Sequence, residues 1–161
     1  MIYRLPEADD KAMLDEYIKE HYNNGEKFIN ASLELATTEY CEWLEKIRRN
    51  ASTGDEIWGK SLLYLCIDEG KLVGLLNIRY EAPEHLAEKY GHIGYGVRPA
   101  ERRKGYATAI SICKAKGLSE VILGCYKDNL ASAATIKKNG GILISETENE
   151  GRISQYYIIK L

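Results

Sequence analysis

Between His92 and Lys116 the chain passes from an alternating apolar segment, through a proline and a run of cations, to a glycine that opens a helix, and this order constrains the fold more than any other feature. His92-Ile93-Gly94-Tyr95-Gly96-Val97 alternates as a strand does. Arg98-Pro99 then turns the chain, and Arg102, Arg103 and Lys104 gather charge immediately before Gly105-Tyr106-Ala107-Thr108. The first N–H groups of a helix have no carbonyl partner and carry the positive end of its dipole. Gly105 lets a phosphate approach those groups without meeting a Cβ, and Ala107 keeps the next approach nearly as open. Strand, turn, cationic glycine loop and helix is the setting such a cradle needs; a basic run on its own reads equally as a solvated face. The Lys-Ser/Thr pair of a Walker-type nucleotide loop is missing after Gly105.

The cations are local. Lys and Arg number 22 against 24 Asp and Glu, a net charge of -2 with a pI near 6.0. There is no global basic field and no aromatic residue interleaved in the Arg102–Lys104 cluster, which argues against a nucleic-acid partner. The 161 residues suffice for one domain, 1–161, with a core of its own. The opening Met1-Ile2-Tyr3-Arg4-Leu5-Pro6 lacks a signal-peptide run, and no stretch reaches the ~18 apolar residues of a membrane span, so a cytoplasmic protein is expected. Cys41, Cys66, Cys113 and Cys125 sit singly, with no C-x-x-C pair and no histidine at ligand spacing. They read as free thiols in a reducing compartment rather than as a metal site.

Taken in order, Ile2–Leu5 reads as a strand ended by Pro6. A helix follows from Asp9 or Asp10, with Met13, Leu14, Tyr17 and Ile18 at helical spacing. Phe28–Leu35 reads as irregular or weakly helical. Thr37 or Thr38 can cap a second helix, whose Tyr40, Trp43, Leu44 and Ile47 form an apolar stripe opposite the charge pairs Glu42–Lys46 and Glu45–Arg49. Ala51–Lys60 is a loop. Leu62–Ile67 and Leu72–Ile78, joined by a glycine-bearing turn, form a hairpin whose continuous apolar character implies a sheet covered on both faces. Ala82–Glu88 reads as a connection to the strand Gly91–Val97. Beyond the glycine loop come a helix to about Lys116, a strand at Val121–Leu123, a helix at Ala131–Asn139, and strands at Ile142–Ile144 and Ile153–Ile159. A strand, helix, strand unit of this kind calls for parallel pairing with a right-handed crossover.

Arg102-Arg103-Lys104-Gly105-Tyr106-Ala107 resembles the Arg/Gln-x-x-Gly-x-Gly/Ala signature of the GNAT superfamily of N-acetyltransferases, and Gly94–Pro99 resembles the strand before it. Asn129-Leu130-Ala131-Ser132, followed by Lys137-Lys138-Asn139-Gly140-Gly141, resembles the family's next helix and its terminal turn. The likeness is specific from about residue 62 onward. It implies an α/β fold with a mixed, largely antiparallel sheet, a central splayed parallel strand pair and helices on both faces. It implies acetyl-CoA as cofactor, its pyrophosphate on the N–H groups of Arg103, Lys104, Gly105, Tyr106, Ala107 and Thr108, and Arg98 and Arg102 nearby. The pantetheine arm would run along the strand of Tyr95 and Val97, with Asn129 and Ser132 on its other side. Asn129 reads equally as a helix cap. The acyl oxygen would accept from the N–H of Val97 or a neighbour.

An alkyl amine with a pKa near ~10 must lose a proton before it attacks. His92 and Glu81 are the candidate bases, each working through water, against the plainer readings of a structural histidine and a solvated glutamate. Ile136 stands where many family members carry a tyrosine that reprotonates the leaving thiolate. Tyr126, Tyr95 and Tyr106 are its candidate substitutes. The helix after Gly105 is also shorter than the family's. Two readings follow. One is an N-acetyltransferase moving acetyl from acetyl-CoA to a primary amine of a small molecule or peptide by direct attack; the other is a non-catalytic acyl-CoA-binding module. Tyr80, Glu81 and Glu84 hint at a cationic acceptor, which the first two helices and their loop would flank. A homodimer is left open.

Overall fold

The computed structural model describes residues 1–102, 109–149 and 151–161. The predicted hairpin is its centre: β2 (Ser61–Asp68) and β3 (Lys71–Arg79) pair antiparallel from Ser61 opposite Arg79 to Asp68 opposite Lys71. Glu69 and Gly70 close it with φ of 49° and 79°, the double left-handed turn that matches the twist of a hairpin. β1 (Ile2–Arg4) joins the outer edge of β2, and β4 (Ile93–Val97) joins the free edge of β3, giving a sheet ordered β1-β2-β3-β4 with every pairing antiparallel. A second sheet holds β5 (Glu120–Tyr126), β6 (Ile142–Asn149) and β7 (Arg152–Lys160) in the order β5-β7-β6. β7 runs antiparallel to both neighbours, so β5 and β6 are parallel in direction but are not paired with each other. The pairing expected of that strand, helix, strand unit is not made, because the last strand inserts between its two members.

Helices α1 (Lys11–Asn23) and α2 (Tyr40–Ser52) cover one face of the first sheet. Leu14, Tyr17, Trp43, Leu44 and Ile47 pack there on Leu63, Leu65 and Leu75. On the other face α4 (Ala109–Ala115) and α5 (Leu130–Lys138) bring Cys113, Ala133 and Ile136 against Val73, Leu76, Ile78, Val121 and Tyr157. Apolar residues on both faces of β2 and β3 account for their unbroken hydrophobic runs.

Three local expectations change. Residues expected as a connection form α3 (Glu84–Tyr90), preceded by Pro83 and stopped by Gly91, whose φ is 77° and whose N–H returns to the carbonyl of Ala87. Only Ala87 of this helix is buried, so it has no apolar stripe for periodicity to find. Helix α2 starts after Glu39 rather than at a threonine cap; Thr37 Oγ1 donates instead to the Glu34 carbonyl. Lys46 reaches out of its own helix to Glu34 Oε2, at 2.8 Å, so the Glu42–Lys46 pair is not formed. Between α1 and α2 the chain is a run of turns in which Ala31, Leu33 and Glu34 have φ of 61°, 50° and 67°. The indole of Trp43 donates to the Ser32 carbonyl at 2.8 Å and holds this loop against the core. Among the described residues, no helix is long and apolar enough to cross a membrane.

Candidate active site

Among the described residues, the hydrogen bonds that join the two sheets lie where β4 begins. The His92 N–H donates to the Ile122 carbonyl at 2.7 Å, while its own carbonyl accepts from Arg79 N–H at 2.8 Å, so the residue turns one backbone group to each sheet. The Ile122 N–H donates to His92 Nδ1 at 3.0 Å. An imidazole that accepts at Nδ1 carries its proton on Nε2 and is neutral. Burial, together with the charge of Arg79, holds its pKa below the ordinary range. Gly91 makes the contact possible: a Cβ there would lie 2.8 Å from the Ile122 carbonyl oxygen.

Past this point the strands separate. In an antiparallel ladder alternate residues turn their amides toward the partner. Arg79 N–H to His92 carbonyl and Arg98 N–H to Val73 carbonyl set the phase on β4. Gly94 and Gly96 therefore face β3, and the amides of Tyr95 and Val97 face the gap toward β5. Gly94 and Tyr95 line the same cleft as Gly124, Cys125 and Tyr126, so both strands run on in one direction from the His92–Ile122 contact. This is the splayed parallel pair that the resemblance implies. The cleft is about 1270 Å³ in volume and extends to the loop between α1 and α2. That loop approaches closely because Gly96 has no side chain: a Cβ there would sit 2.6 Å from the Asn30 carbonyl oxygen.

Tyr95 spans the gap, its hydroxyl 2.6 Å from Ser132 Oγ on α5, and burial raises its pKa. Asn129 caps α5, its Oδ1 accepting from Ser132 N–H at 3.1 Å, so the capping reading of this residue is the one observed. Tyr126 lines the cleft, 46% exposed, with the Arg152 guanidinium 3.7 Å above its ring. Ile136, 2% exposed, is a core residue.

Arg98 and Arg102 are engaged otherwise than the resemblance implies. Arg98 is 4% exposed, stacked on Tyr17, with Nε 3.5 Å from the Glu20 carboxylate. Arg102 pairs with Glu26 at 2.5 Å and donates from Nε to the Val97 carbonyl at 3.1 Å. Burial alone would raise the Glu26 pKa, but hydrogen bonds from His21, Arg102 and Asn24 outweigh it and hold the carboxylate below its usual range. Both arginines thus tie the turn after β4 to carboxylates on and just past α1. Arg103, Lys104, Gly105, Tyr106, Ala107 and Thr108 lie outside the described residues. Glu81 pairs with Lys60 at the surface and does not line the cleft, and His92 has committed its Nδ1 lone pair, so neither candidate base presents a free proton acceptor at Nδ1 or in the cleft. Asn77 and Arg79 are among the cleft residues that were not singled out from the sequence. They lie two apart on β3, and in sequence they read only as the polar end of an apolar run.

A model of the acetyltransferase (GNAT) family matches residues 13–141. No curated protein matches this chain. Among solved structures, a ribosomal-protein-alanine N-acetyltransferase from Brucella melitensis superposes with a TM-score of 0.68 at 16% identity, with 100% of each chain covered. An N-acetyltransferase from Staphylococcus aureus Mu50 gives 0.67 at 16% identity over 99% of this chain and 97% of that one. The yncA protein of Salmonella typhimurium, with its cofactor acetyl-CoA, gives 0.67 at 14% identity over 99% and 92%. At such identities the structural likeness speaks to the fold, and the family match covers most of the chain with the cationic glycine loop inside it: the chain belongs to the GNAT acetyltransferase family.

Proposed function

We propose that this acetyltransferase moves the acetyl group of acetyl-CoA to a primary amine of a small molecule or peptide by direct attack. The observation that carries the reading is the open edge of β4: the Tyr95 amide faces a cleft reached from the other side by the loop between α1 and α2, and the Val97 amide is the next along the same edge. An extended pantetheine arm suits that edge, because it can take the place of the missing strand, and Gly94 and Gly96 leave the strand slim there. Acetyl-CoA supplies the thioester; the chain's residues do the rest. The Val97 or the Tyr95 N–H, about 7 Å apart along the strand, would be a fixed dipole beside the acyl oxygen and would stabilise the negative charge it gains, at no cost of reorganisation. The Tyr126 hydroxyl on the cleft wall donates a proton to the leaving thiolate. The ammonium form of the acceptor gives one proton to solvent in the open cleft before the neutral amine attacks, and the attacking nitrogen releases its second proton to solvent as the amide forms. His92 positions β4 against β5 and takes no proton from the amine. Residues 103–108 hold the pyrophosphate.

Thermal melting and mass spectrometry test this. At 100 times its Kd, acetyl-CoA stabilises by about 2.7 kcal/mol, a rise of roughly 5–10 °C for a domain of this size. Acetylated product should appear with at least one amine of a panel of polyamines, amino acids and peptides. Tyr126→Phe should lower kcat on the order of 10²-fold with acetyl-CoA binding retained. A shift without product from any amine favours the acyl-CoA-binding module, and the absence of a shift sinks both readings.

A further inference from the structure

Among the described residues, nothing neutralises the cation of Arg79. It stands at the end of β3, its Nη1 donating to the Gly91 carbonyl at 3.0 Å and its guanidinium 5.5 Å from the centre of the Trp58 ring. Its Nη2 lies 4.0 Å from where a Cβ on Gly94 would be, which puts the free side of the fork over β4. Among the described residues, no carboxylate lies within ion-pair distance of it. Glu81, the nearest acid in sequence, is held by Lys60. Burial lowers the Arg79 pKa, and among the described residues no acidic neighbour offsets it. Holding a guanidinium this way is costly unless an anion completes the site.

Asn77 is an independent second sign. It lies two residues before Arg79, on the same face of the strand, is 1% exposed and lines the cleft, and its Oδ1 has no hydrogen-bond partner. A buried acceptor without a donor costs free energy that a bound N–H recovers. The two groups stand roughly 7 Å apart along the strand at its ordinary rise. Gly94, paired with Asn77 across the ladder, adds no side chain of its own there, and the nearest side chain besides Arg79 is Ala31, whose Cβ lies 3.8 Å from where a Cβ on Gly94 would be.

We infer that the acceptor is an amine bearing a carboxylate, which Arg79 binds while Asn77 Oδ1 accepts an N–H from the same molecule. The inference rests on the acetyltransfer reading above and narrows its acceptor class. The cofactor's phosphates are not the anion in question. Arg79 sits opposite His92, whereas the far end of β4, after which the cationic residues follow in sequence, is on the order of 20 Å away along the strand. A planar fork with one edge free matches a carboxylate in two parallel hydrogen bonds, a geometry a lysine would not supply. The carboxylate has two sources, a free amino acid or an acidic residue of a peptide, and the two share this chemistry.

Matched acceptor pairs test the inference on the full chain with acetyl-CoA, reading CoA release. The pairs are L-phenylalanine with phenethylamine, L-lysine with cadaverine, and Asp-Ala-Ala-amide with Asn-Ala-Ala-amide. At least one carboxylate-bearing member should exceed its partner tenfold or more in kcat/KM, and the pair that does so identifies the source. Arg79→Gln should bring that member down to the level of its partner, mainly through KM. Should Arg79→Gln fail to fold, Arg79→Lys serves in its place: it keeps the charge but not the two-pronged fork and should lower the preference too. Turnover of amines with no preference in any pair, or an equal loss for both members in the variants, overturns the inference and leaves the acetyltransfer reading standing. No turnover of any amine overturns both.

Discussion

A lone pair on Nδ1 of His92, beside the bond from its own N–H to the Ile122 carbonyl, ties the two sheets of this protein together. It accepts the Ile122 N–H, so protonation of the ring would set a donor against a donor. The folded state therefore resists protonation, and the His92 pKa lies below its ordinary 6.5. Between the folded value and 6.5 the unfolded chain binds more protons, so the His92 contribution is whole above 6.5 and is lost as pH falls through that window. His92→Asn, whose Oδ1 can occupy the place of Nδ1 without titrating, should keep most of the stability and flatten its decline on acidification. His92→Leu strands the Ile122 N–H and should cost about 1–3 kcal/mol at neutral pH. Urea unfolding of the three proteins at neutral and mildly acid pH decides the matter; a wild-type decline unchanged in His92→Asn would place it on another group. The histidine was visible in the sequence, but as a candidate base. Its partner lies 30 positions away, and nothing local announces that the lone pair is taken.

At the level of elements, what matters is how β4 meets β5 and then leaves it. Gly91 permits the meeting for two reasons, its φ of 77° and the carbonyl oxygen 2.8 Å from its absent Cβ. Gly25, with φ of 81° and nothing within 4 Å, has only the first. Gly25→Ala should therefore cost only the strain of a left-handed residue, about 1 kcal/mol, whereas Gly91→Ala should cost about 2–3 kcal/mol and also raise the KM for acetyl-CoA by moving the strands. Chemical denaturation and steady-state kinetics of the two variants check this, and equal costs would mean that the close approach is not a constraint. Elements with a strong period were legible in advance: the hairpin, and the stripe Tyr40, Trp43, Leu44 and Ile47 of α2, all buried as spaced. α3 was not, since it buries one residue and owes its ends to Pro83 and Gly91.

Over the whole molecule, the two cores set the reactivity of the four cysteines. Burial pushes the Cys66 thiol up to about 12 and the Cys113 thiol to about 11, so neither offers thiolate near neutrality. Burial also raises Cys125, which lines the cleft, whereas Cys41 is exposed. An aromatic disulfide reagent at pH ~8 should label Cys41 quickly and Cys125 slowly, the latter more slowly still with acetyl-CoA, and should reach Cys66 and Cys113 only on unfolding. Peptide mapping of the labelled sites reads this directly; rapid labelling of Cys113 would contradict the packing of α4. The sequence by itself determined the class of fold, the order of most elements and the cationic glycine loop, because period, turn residues and helix-start chemistry are properties of neighbours in the chain. Tertiary structure alone decided that Arg98 and Arg102 are held by Glu20 and Glu26, and that Asn77 and Arg79 face the cleft. Which charge is neutralised and which amide is left open depends on groups that only the packed chain brings within a few ångströms of one another.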